Sequence, residues 1–299
     1  MLPLFPNTKL LELSDKQEIE RLTSVFSPYS DYYFFSLWTW NIDSCTRISV
    51  LEGNLVVLFH DYETNEPFLS FIGENNVEKT IQNLLDFTHK HANTNSLRLI
   101  PAECIEKILG NVQERFDVKE DRDSFDYVLS VEKLCTFEDS SLYTKRKTLN
   151  RFLSEHVARV SVIALKKKEQ LQELRDLLSL WSGQKSVLNT LETRAEERME
   201  LNLDRFNLEL LTVTEKEKII GYLVFEIINS EYSICSFQRG DRACAGVYEY
   251  MNQEAAKYLL GKGIKYMNIE QDAGMLGLRQ AKSAYDPTFL KKYTISLKG

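Results

Sequence analysis

Two carboxylates near the C-terminus, Glu270 and Asp272, have the type and spacing for acid–base chemistry. Glu270, Gln271 and Asp272 end a strand-like run, Ile264 to Ile269, and precede a turn loosened by Gly274 and Gly277. A carboxylate at a strand exit can take a proton from an attacking amine or hydroxyl. Arg279 and Lys282 follow on a short predicted helix, where they could balance negative charge developing on an oxygen. Tyr285, and Tyr248 from an earlier helix, could relay the proton. The plainer alternative is a solvated strand end with a helix cap, since acidic side chains mostly lie at the surface.

Two basic groupings could hold phosphate. Gln238-Arg239-Gly240-Asp241-Arg242-Ala243 leads from a strand into a helix, with Gly246 just before the helical run. A helix start preceded by small residues can take an anion on its backbone N–H groups, with Arg239 and Arg242 adding charge. A glycine-relaxed turn with no ligand fits the same residues. The second grouping is Lys145, Arg146, Lys147 and Arg151, interleaved with Tyr143, Leu149, Phe152 and Leu153, with Lys166, Lys167 and Lys168 further on. Such a helix could receive the phosphates of a tRNA acceptor end or a lipid headgroup, or could simply be a solvated face.

The rest of the chain must position these residues. Its 299 residues are enough for about two domains, and 43% apolar residues suffice for packed interiors. A net charge of -7 argues against nucleic-acid binding over the whole surface and leaves room only for a local basic patch. Five scattered cysteines without a C-x-x-C pair read as reduced thiols, and the four histidines have no metal-ligand spacing. No metal is expected. The first residues lack the charged-then-apolar pattern of a signal peptide, and no window approaches about 20 apolar residues, so the expected location is cytoplasmic.

Periodicity predicts helices over Ser14–Phe26 and Tyr32–Asn41, then three strands, RISVLE, NLVVLFHDYE and PFLSFIG. A helix over Val77–Lys90, a strand over Ser96–Ile100, a short helix from Pro101, and strands at Arg115–Lys119 and Tyr127–Val131 complete the first half. The second half reads as the basic helix, a strand at Arg159–Ala164, and helices at Lys168–Trp181 and Leu188–Phe206. Three strands follow, then a helix at Val247–Leu260, the Ile264–Ile269 strand, a helix, and a last strand at Tyr293–Leu297. The run strand-strand-strand-helix-strand-helix-strand thus occurs twice. This order predicts a mixed α/β fold of two tandem acetyltransferase-like (GNAT) domains, residues 1–136 and 137–299. The usual coenzyme A loop of that fold, Gln/Arg-x-x-Gly-x-Gly/Ala, is not matched by Gln238 to Ala243.

YTKRKTLNRF, GVYEYMNQEAAKYL and IKYMNIEQDAGMLGLRQAKSAYDPTFLKKY, with SDYYFFSLWTWN near the start, resemble the bacterial family of the phosphatidylglycerol lysyltransferase C-terminal domain. The most specific part is Asn268-x-Glu270-x-Asp272-x-Gly274 with Leu278, Arg279, Lys282 and Tyr285. The resemblance implies a tandem GNAT fold akin to Fem-type aminoacyltransferases, which move an aminoacyl group from aminoacyl-tRNA to an amine or hydroxyl. The acceptor could be a small molecule, a peptide or a lipid headgroup. On that reading Asp272 or Glu270 is the base or amine binder, and Lys145, Arg146 and Arg151 hold donor phosphates. Two other readings remain: an N-acetyltransferase using acetyl-CoA at Gln238 to Gly246, and a non-catalytic module binding a small molecule or peptide. The site is expected in the second half, because the equivalent first-half junction, FIGENN, has fewer polar candidates.

Overall fold

A computed structural model describes residues 1–61, 64–91, 95–166, 169–172, 174 and 188–298. The strands are β1 (Lys9–Leu10), β2 (Arg47–Leu51), β3 (Asn54–His60), β4 (Pro67–Ile72), β5 (Ser96–Pro101), β6 (Phe116–Glu120) and β7 (Asp126–Ser130). They continue as β8 (Arg159–Ala164), β9 (Leu208–Glu215), β10 (Lys218–Ile227), β11 (Tyr232–Gly240), β12 (Tyr266–Asn268), β13 (Thr288–Leu290) and β14 (Lys292–Leu297). The chain divides into two compact units. One comprises Met1–Asp126, Gln271–Met275 and Phe289–Gly299, the other Tyr127–Glu270 and Leu276–Thr288.

The first sheet runs β1-β2-β3-β4-β5-β14-β6, and the second runs β13-β7-β12-β11-β10-β9-β8. Each contains antiparallel strands followed by one parallel step, β4 to β5 and β11 to β12. The Val77–His91 and Val247–Gly261 helices are the crossovers that a parallel step requires. This is a mixed α/β fold of two GNAT-type units.

The division differs from the expected 1–136 and 137–299 in two strands. β7 lies in the second sheet, where Met267 pairs with Leu129. β14 lies in the first, inserted between β5 and β6 through Tyr293↔Ile100 and Ile295↔Val118. Chain order alone does not select a strand's partners, and each strand here pairs away from its sequence neighbours. A short helix, Val131–Thr136, capped by Ser130 accepting from the Lys133 N–H, also escaped the periodicity reading. Most of the expected Lys168–Trp181 helix lies outside the described residues, apart from Glu169–Gln172.

The core of the second unit joins Leu211, Leu223 and Phe225 of its strands to Met251, Ala255 and Leu259 of the Val247–Gly261 helix. Their spacing of four along the helix puts one apolar stripe on the sheet. In the first unit, buried Asp126 and Asp31 flank the fully buried Lys292 ammonium, Asp126 at 2.9 Å. Ser30 donates its N–H and its hydroxyl to Asp126 at 2.7 and 2.6 Å. Burial alone would lower the Lys292 pKa, but the two carboxylates raise it above the ordinary lysine value.

Candidate functional site

The second unit opens where β11 and β12 part. Their parallel register ends at Ile234↔Asn268, and β11 continues to Gly240 paired with β10. Alternation along a strand sends adjacent side chains to opposite faces. Gln238 accordingly donates to Asn252 Oδ1 of the Val247–Gly261 helix at 2.8 Å. Arg239 meets Glu196 at 2.8 Å and Glu192 at 3.4 Å, both on the Leu188–Glu200 helix.

On the Gln238 face, Lys145 Nζ donates to Glu249 Oε1 at 2.8 Å, and the Tyr285 hydroxyl donates to the same oxygen at 3.3 Å. Tyr285 also shares a hydrogen bond with Asn252, and the Lys145 ammonium stands 4.2 Å from the Tyr285 ring centre. Glu249, Asn252 and Tyr285 are all buried. Burial, then the charge of Glu249, pushes the Tyr285 hydroxyl well above its ordinary pKa, so it keeps its proton and acts as a donor. The result is one buried polar track, Lys145–Glu249–Tyr285–Asn252–Gln238.

On the Arg239 face, Glu196 is buried and is raised to about 7, first by burial and then against the pull of Arg239. The Tyr222 hydroxyl lies 3.4 Å from Glu196 Oε1. Sequence reading missed Glu192, Glu196 and Tyr222. The spacing of four between Glu192 and Glu196 was visible, but in LETRAEERME it looks like any charged helix face.

At the end of β12, the buried Asn268 side chain accepts the Glu270 N–H at 2.7 Å, and Glu270 takes a φ of 59°. Lys282 Nζ donates to the carbonyls of Ile269 and Glu270 at 2.6 and 3.2 Å. It therefore fastens the strand exit from the Leu276–Ser283 helix, which also carries the half-buried Arg279. Glu270 and Lys282 both act electrostatically on the buried Cys235 thiol of β11, so they bear on the opening between the strands.

The stretch that looked like one cluster is divided. Asp272 belongs to the first unit, is fully buried, accepts the Gly274 N–H at 2.9 Å and pairs with Arg122 at 3.4 Å. Part of the expected phosphate cradle is already partnered within the turn. The N–H groups of Gly240, Asp241, Ala243, Cys244 and Val247 bind the Tyr248 hydroxyl, the Ile220 carbonyl, the Asp241 side chain and the carbonyls of Asp241 and Cys244. A Cβ on Gly246, at φ 97°, would lie 2.8 Å from the Thr148 carbonyl oxygen. That glycine admits the basic helix, and the Tyr248 hydroxyl accepts the Gly240 N–H at 3.1 Å.

Among the basic residues, Lys145 is committed to Glu249, Arg151 pairs with Glu155 at 2.9 Å on the exposed helix face, and Arg146 donates to the Glu138 carbonyl. Lys147 and Arg242 are exposed. Lys166 donates to the Phe206 carbonyl, whereas Lys167 and Lys168 lie outside the described residues. Among the described residues no His, Cys, Asp and Glu grouping could hold a metal ion, and no helix is long and apolar enough to cross a membrane.

The comparisons agree on the fold. A conserved protein of unknown function from Bacteroides thetaiotaomicron VPI-5482 is 24% identical with a TM-score of 0.80, over 100% of both chains. The C-terminal domain of a putative lysylphosphatidylglycerol synthetase from Agrobacterium fabrum is 10% identical with a TM-score of 0.65, covering 96% of this chain and 93% of that one. L-PGS from Bacillus licheniformis is 13% identical with a TM-score of 0.62, covering 95% and 92%. No curated protein matches the chain in sequence. The family model described as phosphatidylglycerol lysyltransferase, C-terminal, matches residues 25–296, and the chain belongs to that family.

Proposed function

We propose that the second unit transfers an aminoacyl group from aminoacyl-tRNA to an amine or hydroxyl acceptor. The observation that carries this reading is the opening between β11 and β12, where buried polar side chains gather on both faces of one strand. Such groups are costly to bury without a purpose beyond packing.

An aminoacyl ester is already activated, so the protein needs to position the reactants, accept a proton and stabilise an oxyanion. Glu270 takes the proton from the acceptor as its nitrogen or oxygen bonds to the ester carbonyl carbon. The carbonyl–O3′ bond then breaks, and the tRNA 3′-oxygen leaves as a hydroxyl on taking that proton from Glu270. Arg279 balances the charge on the tetrahedral oxygen, and Tyr285, whose hydroxyl donates to Glu249, holds that carboxylate in place. Lys282 holds Glu270 in place through the backbone. The exposed Lys147, Arg151 and Arg242, with the half-buried Arg146, meet donor phosphates, while Lys145 positions Glu249.

The family description makes lysyl-tRNA and phosphatidylglycerol the first donor and acceptor to try. Purified protein is incubated with radiolabelled lysyl-tRNA and phosphatidylglycerol vesicles, or with small amines and peptides. Product formation that is lost in Glu270→Gln, with the melting temperature unchanged, is expected. Binding of charged tRNA should also weaken as salt rises. Absence of both tRNA binding and transfer to every acceptor class would reject the proposal.

A further inference from the structure

The first unit holds a cavity of about 600 Å³ at the FIGENN junction, where the sequence predicted no site. It is lined by the segment after β4, the start of the Val77–His91 helix and the helical stretch after β5. Crevices outside the carboxyl ends of parallel strands are recurrent ligand positions, and the volume is that of a small-molecule site.

The loop that borders it is rigidly built. Fully buried Asn54 donates to the Asn75 carbonyl at 2.7 Å and to Thr80 Oγ1 at 3.0 Å, and accepts the Asn75 N–H at 3.0 Å. Gly73, at φ 151°, has no room for a side chain, because a Cβ would lie 2.1 Å from Asn54 Oδ1. Its N–H donates to the buried Cys104 sulfur at 3.3 Å. Burial pushes the Cys104 thiol up to about 12, so the cavity wall carries no thiolate nucleophile and suits binding rather than covalent chemistry.

The charges around the cavity are balanced. Glu74, Glu78 and Glu103 line it together with Lys107, Arg115 and Lys79, the last paired with Glu52 at 2.7 Å. Two pairs span the groove: Lys107 to Glu74 at 3.0 Å, and Arg115 to Glu78 at 3.1 Å. A polyanion would meet three carboxylates there, and a polycation would meet three cations. A ligand with one charge of each sign can exchange with both pairs. Exposed ion pairs of this kind are worth only about 0–1 kcal/mol, so opening them is cheap. Asn83 adds an amide group that suits a peptide bond.

We propose that this cavity binds a zwitterionic amino acid or short peptide, with its ammonium on Glu74 and Glu78 and its carboxylate on Lys107 and Arg115. The site is separate from the transfer reading, and its test reads binding alone. Isothermal titration of the full chain uses L-alanyl-L-alanine, its N-acetyl form and its C-terminal amide. Saturable binding of the zwitterion is expected at millimolar Kd or tighter. Blocking either end, or the pair Lys107→Gln and Arg115→Gln, should weaken it about tenfold or more, roughly 1.4 kcal/mol. Silence up to about 10 mM, equal binding of the blocked peptides, or preference for acetyl-CoA or inorganic phosphate would each overturn the proposal. The blocked peptides keep the test decisive even if the double variant fails to fold.

Discussion

Replacing Glu196 by glutamine should make the protein more stable at pH 8 and leave it little changed at pH 5.5. A solvated glutamate titrates near 4.5, but burial raises Glu196 to about 7 even beside Arg239. A raised carboxyl pKa means the folded state binds the proton more tightly than the unfolded chain. Stability from this group is therefore full below the unfolded value and declines as pH rises from about 4.5 through about 7. A shift of this size corresponds to roughly 3 kcal/mol, lost by the time Glu196 is ionised at pH 8. Glutamine mimics the protonated acid, so Glu196→Gln escapes that loss while keeping Glu192 at 3.4 Å from Arg239. Urea denaturation of both proteins at pH 5.5, 7 and 8 measures the difference directly. The gap should open in favour of the variant as pH rises. If the wild type is instead the more stable at pH 8, the Glu196–Arg239 attraction outweighs desolvation and the reasoning fails.

Lys292→Met should cost about 3–5 kcal/mol, because it leaves Asp31 and Asp126 buried without their shared cation. The Lys292 contribution is present below the unfolded lysine value of 10.5 and is lost as pH climbs through the raised folded value, which alkaline denaturation of the wild type and variant would reveal. Gly73→Ala should destabilise by about 2–4 kcal/mol through its clash with Asn54 and its positive φ, and should leave the second unit's transfer chemistry in place where the protein stays folded. Asp272→Asn should lower the melting temperature by weakening the pair with the half-exposed Arg122, with activity falling only as the folded fraction falls. Loss of turnover in a fully folded Asp272→Asn protein would return Asp272 to the chemistry.

Most of the longer elements among the described residues are readable from the sequence. The Val77–His91 and Val247–Gly261 helices follow from apolar spacing, and β2, β3 and β4 follow from apolar runs closed by turn residues such as Gly53. The motif Asn268-x-Glu270-x-Asp272 with Lys282 and Tyr285 was enough to point to the family. Pairing was not readable. Nothing in Lys292–Leu297 says it inserts between β5 and β6, because strand partners are chosen by distant backbone groups and by which face each side chain can bury. The same limit separated Asp272 from Glu270, two residues away in sequence but assigned to different units. It also hid Glu196, whose neighbours Tyr222 and Arg239 arrive from β10 and β11. Sequence sets which residues can carry charge, bend or pack. Burial and long-range pairing decide which charges are spent on structure, because desolvation and partner geometry exist only once the chain is folded.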